Sequence, residues 1–173
     1  MSKRDLKKYL GELTKEQIAD QFLELYDKFG DVKTYYDFVF NPKEEKLVQE
    51  SKLKISNEYF PIKNKRAKLR RSVAQKYIKQ FIILGVDPHS IVDVMLYNIE
   101  VAQRYSAKRE MRYASFFKSI LNSFEQAINF AKSTGIVLDF NERCTVIVLE
   151  ASRQQWENSY AFDIILQEAM FNM

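Results

Sequence analysis

The chain has 173 residues, 46% of them hydrophobic and 29% charged, with a formal net charge of +4. That balance excludes a disordered chain and sets the expectation of a single globular domain, 1–173, able to bury roughly 70% of its unfolded surface. Four Gly and three Pro argue against a loop-rich sandwich or barrel. The one cysteine, Cys144, leaves no internal disulfide and fits a reducing compartment. The opening Met1-Ser2-Lys3-Arg4-Asp5 reaches no apolar stretch of the signal-peptide kind, and the longest apolar run, Phe81 to Val86, is far below the ~20 residues of a membrane span. The expected compartment is the cytoplasm, with no membrane partner.

In chain order, helices are predicted at about 3–10, 15–29, 32–40, 42–59, 68–84, 88–106, 108–133, 140–156 and 160–171. Thr14-Lys15-Glu16-Gln17 reads as a capping box at the start of the second. Gly30, Gly85 and Gly135 each follow a helical pattern and are expected as left-handed C′ residues; Gly11 is a further candidate. Asn41-Pro42 and Asp87-Pro88 each place a capping side chain before a proline suited to the first helical position. Within Tyr35-Tyr36-Asp37-Phe38-Val39-Phe40, aromatic and apolar residues point nearly all round a helix, which predicts a segment sandwiched in the core. The alternative is a patch for a partner, because aromatics are enriched at interfaces.

Helix 108–133 shows the clearest stripe: Phe117, Leu121, Phe124, Ile128 and Ala131 alternate in steps of four and three. Further on, Ile136-Val137-Leu138 and Thr145-Val146-Ile147-Val148-Leu149 are β-branched-rich and fit a hairpin by composition. Helix is favoured, because Asp139 with Glu142 makes a helix start and an isolated hairpin is marginal. The recurring order of helix, Gly, short turn, helix suggests stacked helical hairpins. The polar stretch 61–66 reads as an internal loop.

Few residues carry recognisable chemistry. His89 and Cys144 are the only residues of their types and lie far apart, which matches no paired zinc pattern. His89 is expected to be an exposed residue of a helix first turn, and Cys144 a buried small hydrophobe. The four glycines form no phosphate loop. Glu44-Glu45 are neighbours on a helix, so they point apart and complement the helix dipole. No catalytic, metal-binding or cofactor-binding residue is assigned, and a non-enzymatic protein is expected.

The most distinctive feature is a run of eight cations with no acid among them: Lys63, Lys65, Arg66, Lys68, Arg70, Arg71, Lys76 and Lys79. A chain of net +4 therefore carries −4 everywhere else. On a helical wheel Leu69, Val73, Ala74, Tyr77, Ile78, Phe81 and Leu84 fill one half. Lys68, Arg71, Lys76 and Lys79 lie on the other. Arg70 points into the apolar half, so either it pairs with an acid of another helix or the helix has not begun there. Ser72-Val73-Ala74-Gln75 as a capping box favours the second option, with Lys63 to Arg71 as a mobile basic arm.

Three roles compete for this run. It is a solvated face whose cations meet the acidic C-terminal region, where seven acids from Glu125 onward face three bases. Alternatively it is a sequence-tolerant nucleic-acid site; four phosphate contacts would give a salt slope of about −3.6. Or it receives an acidic protein partner or an anionic membrane surface, the membrane being disfavoured because the apolar arc is needed for the core.

Several strings are familiar together: SKRDLKKYLGELTKEQ, YYDFVFNPKEEKL, RRSVAQKYIKQF followed by LGVDP, VMLYNIE and EASRQQWENSY. Through them the chain resembles, over nearly its full length, an uncharacterised family of small helical bacterial proteins classed only as a domain of unknown function. The resemblance implies an all-helical single domain and carries over no activity or site residue. The expectation is an all-α domain of eight to nine helices packed as successive antiparallel hairpins, solenoid-like or bundled. Its expected role is a protein-interaction module whose basic face takes an acidic partner, with nucleic-acid binding as the alternative.

Overall fold

The computed structural model describes residues 2–62, 65–111 and 113–171. Among them are nine α-helices, one short 3-10 helix and no strand. The all-α expectation holds, and the chain separates into two compact units, Met1–Lys43 and Glu44–Met173. The stretch 61–66 falls inside the second.

The N-terminal unit holds α1 (Lys3–Gly11), α2 (Lys15–Lys28) and α3 (Gly30–Phe40). Both first helices start at capping boxes. Ser2 Oγ accepts from the Asp5 amide at 3.2 Å while the Asp5 carboxylate accepts from the Ser2 amide at 2.9 Å. Thr14 and Gln17 repeat the exchange as predicted. Gly30 is the first residue of α3, with extended Phe29 as the link from α2, so it is not the left-handed stop expected. The two helices meet through the Phe22 and Tyr36 rings, edge to face at 5.3 Å, and through Tyr26, whose hydroxyl donates to Asp37 at 2.6 Å. No side chain of the three helices is fully buried.

That corrects the expectation for Tyr35–Phe40: Phe40 is 82% exposed, and Tyr35 and Val39 are exposed as well. A period-based argument assumes that every apolar arc meets another element. Within its unit α3 has α2 against the Tyr36 side, and the remaining arcs lie open.

The C-terminal unit comprises α4 (Glu44–Tyr59), α5 (Arg71–Leu84), α6 (Pro88–Ser106), α7 (Ala114–Ser133), a 3-10 turn (Val137–Phe140), α8 (Asn141–Arg153) and α9 (Ser159–Phe171). Its centre is α6, which packs against α4, α5, α7 and α8 and buries Ile91, Val92, Val94, Leu96, Ile99 and Val101 almost completely. Asp87 caps it through the Ser90 amide at 3.2 Å, with Pro88 in the first turn, as the sequence implied. Asn41-Pro42 does not act this way, since Asn41 closes α3 and α4 begins only at Glu44. Gly85 and Gly135 are the left-handed residues, at φ +70° and +75°.

α7 starts six residues later than predicted, and its buried face centres on Phe116, Ile120, Phe124, Ala127 and Ile128, leaving Phe117 and Leu121 half-buried. Trp156 and Phe162 close the core against Phe116 and Phe124 through ring contacts of 5.1–6.0 Å. Residues 137–153 are helical, which settles the hairpin alternative.

Candidate functional site

The basic run begins where α4 ends. Pro61 cannot extend the helix, and the last turn of α4 leaves carbonyls without intrahelical partners. The returning chain supplies them. The Lys68 and Leu69 amides both donate to the Glu58 carbonyl, at 2.9 and 3.1 Å. This turn puts Leu69 at φ +55°, a left-handed conformation that costs a non-glycine residue about 1–2 kcal/mol. Arg70 then grips the Glu58 carboxylate with both arms of its guanidinium, at 2.9 and 2.8 Å. Hydrogen bonding from Arg70 holds the Glu58 carboxyl below its ordinary range against the opposing effect of burial, and the Lys68 charge adds to the lowering. Glu58 thus fastens the loop through its main chain and its side chain together.

The expected cations are thereby sorted. Lys63 lies outside the described residues. Arg70 is spent on Glu58, and it is also the residue preceding the helix, so both explanations offered for its misfit position apply. Arg71 is half-buried and turned toward α7, where it donates to Ser123 Oγ at 2.7 Å and Gln126 Oε1 at 2.9 Å. Ser72-Val73-Ala74-Gln75 is not a capping box, because Ser72 is already the second residue of α5, which begins without a side-chain cap. Nor is the arm loose from Lys68 onward, where Lys68, Leu69 and Arg70 are each tied to Glu58.

Lys65, Arg66 and Lys68 are exposed and surround a cleft of about 260 Å³. Asn57 and Glu58 of α4, the apolar pair Pro61 and Ile62, and Arg70 complete its walls. Lys76 and Lys79, one turn apart, are exposed on α5. Among the described residues none of these five cations has an ion pair. The acidic C-terminal region does not cover them: Asp139 pairs with His89 at 2.9 Å, Glu150 with Arg153 at 2.7 Å, and Asp163 accepts from Gln167.

Sequence reasoning missed a second contribution at the same end of the unit. Phe60 and Tyr105 meet edge to face at 5.8 Å. Lys108 sits 5.7 Å from the Phe60 ring centre, and Arg109 lies 5.6 Å from that of Tyr105. Phe60 directly precedes the cleft residues Pro61 and Ile62, so Lys108 and Arg109 extend the basic end. Taken as the start of a helix running to 133, they gave no signal of their own.

Elsewhere charged groups are consumed by packing. Arg143 of α8 holds Asp93 (2.7 Å) and Glu100 of α6, and Lys52 of α4 pairs with the same Asp93. The Cys144 thiol is buried and pushed up to about 12 by that burial. His89 is exposed at the start of α6 as expected, resting between Asp87 and Asp139. Among the described residues no group of three or more His, Cys, Asp or Glu is placed to hold a metal ion. No helix there is long and apolar enough to cross a membrane.

A family model described as a family of unknown function (DUF6155) matches residues 1–170. The chain belongs to that family. DUF6155 carries no assigned activity, and no curated protein and no solved structure matches the chain.

Proposed function

We propose that this member of DUF6155 is a non-enzymatic helical interaction module that receives an acidic protein segment on the basic end of its C-terminal unit. The observation that carries this reading is the cleft ringed by Lys65, Arg66 and Lys68, exposed and without ion pairs, on a loop that Glu58 holds in place. Charges already neutralised inside a fold add little to recognition. Free ones on a fixed scaffold steer an oppositely charged partner and set its register. Ile62, 70% exposed, and Phe60 supply apolar contact beside the cations. A protein segment suits this mixture better than a phosphodiester chain, because the apolar Ile62 and Pro61 in the cleft wall can be covered by apolar side chains of a peptide.

Calorimetric titration with an acidic, leucine-containing peptide tests the reading. Binding is expected to weaken with added salt and to fall at least tenfold in a Lys65→Gln, Arg66→Gln, Lys68→Gln variant that retains its helical signal. Parallel titrations with duplex and single-stranded nucleic acid discriminate. Tighter binding there, lost in the same variant, replaces the protein reading with the nucleic-acid one.

A further inference from the structure

We propose that the acidic segment received by the basic end is the α2–α3 hairpin of a second copy of this chain, in a reciprocal dimer; the inference rests on the reading just given. Residues 15–40 contain Glu16, Asp20, Glu24, Asp27, Asp31 and Asp37 against Lys15, Lys28 and Lys33, a net −3. Within the hairpin only Glu24 is ion-paired, with Lys28, and Asp37 is engaged by Tyr26. The hairpin is acidic and its acids are largely open.

It is also apolar without a core. No residue of α1–α3 is buried, while Phe22, Leu23, Leu25, Phe29 and Phe40 are all exposed. Large apolar side chains left exposed in such number on a small unit mark an association surface. The Phe22–Tyr36 ring contact joins α2 to α3, and the Tyr36–Phe40 contact continues the aromatic row along α3.

Charge selects the occupant. Two hairpins facing each other would bring −3 against −3, whereas the basic end offers Lys65, Arg66, Lys68, Lys108 and Arg109 beside Phe60 and Ile62. Long cationic side chains cover aromatic faces with their stems while their heads reach carboxylates. The hairpin shows the same contact internally, with Lys33 Nζ 5.6 Å from the Tyr26 ring centre. Hairpin on basic end, exchanged in both directions about a two-fold axis, closes at two copies and joins both surfaces.

The test uses the full chain. Light scattering on sizing-column fractions and sedimentation equilibrium should show a concentration-dependent dimer that weakens with salt. Reversing the basic end (Lys65→Glu, Arg66→Glu, Lys68→Glu) or the hairpin (Asp20→Lys, Asp27→Lys, Asp31→Lys) should each give monomer with unchanged circular dichroism. An equimolar mixture of the two reversed variants should recover a dimer, because both docking sites are again complementary.

A wild-type chain monomeric at several hundred micromolar overturns the inference, as does a dimer indifferent to both reversals or a mixture that fails to pair. If the wild type is monomeric yet the acidic peptide binds as above, the dimer fails and the interaction-module reading stands. If neither is seen, both fail.

Discussion

Glu58 decides the geometry of the basic end, and its ionisation is the lever on it. Its carboxyl is held low by Arg70, so the contribution to stability is complete above the ordinary value of 4.5 and is lost as pH falls through the lowered folded value. Carbon-detected titration should place the Glu58 midpoint below 4.5. Substituting Arg70 with Gln should move it back up; an unmoved midpoint would remove Arg70 as the cause. Arg143 is the corresponding centre between α6 and α8. Arg143→Ala leaves half-buried Asp93 with Lys52 alone and removes the Arg143 ion pair of half-buried Glu100. The loss should be about 2 kcal/mol, between the exposed and the fully buried cases, read by urea unfolding. Gly85 has open space around a built Cβ but sits at φ +70°, so Gly85→Ala should cost about 1 kcal/mol from backbone strain alone.

Helix existence was legible from period and punctuation, and helix starts were read most closely where a side chain makes the cap. Ser2, Thr14 and Asp87 cap through their own oxygens. α3, α5 and α7 begin without any side-chain cap, and two of those starts, of α5 and α7, were predicted too early. There the first turn is set by what it packs against, information that lies elsewhere in the chain. α6 shows the converse at its polar stripe. Asp93, Tyr97 and Glu100 recur at four- and three-residue steps on a mostly buried helix, and each finds a partner: Arg143 and Lys52 for the acids, Lys52 and Arg104 over the Tyr97 ring. Tyr97→Ala should therefore loosen the two cations together, lowering stability by about 2–4 kcal/mol in denaturant unfolding.

At the scale of the molecule the two units differ in how they are held. The unit from Glu44 carries the buried core, with Phe81, Phe124 and Phe162 fully enclosed. A chain of residues 44–173 should keep a cooperative thermal transition, whereas a 1–43 peptide should show little helix alone, since short helices without buried faces are marginal in water. Circular dichroism of the two fragments checks both; a non-cooperative melt of 44–173 would contradict the first.

Charge along the chain was readable at once: eight cations in one stretch, acids elsewhere. Which of them are available was not. That depends on Arg70 finding Glu58 twelve residues back and Arg71 finding Ser123 and Gln126 more than fifty ahead. The aromatic segment 35–40 was misjudged for the same reason. By itself the sequence determined the helical class, the capped helix starts, the left-handed stops at Gly85 and Gly135, and the sign of the basic stretch. Each of these is settled by neighbours within a turn or two, through local sterics and hydrogen bonding. Only the tertiary structure decided which cations remain free, which apolar faces remain open, and that Lys108 and Arg109 join the basic end. Burial and pairing depend on what a distant segment brings to the same place.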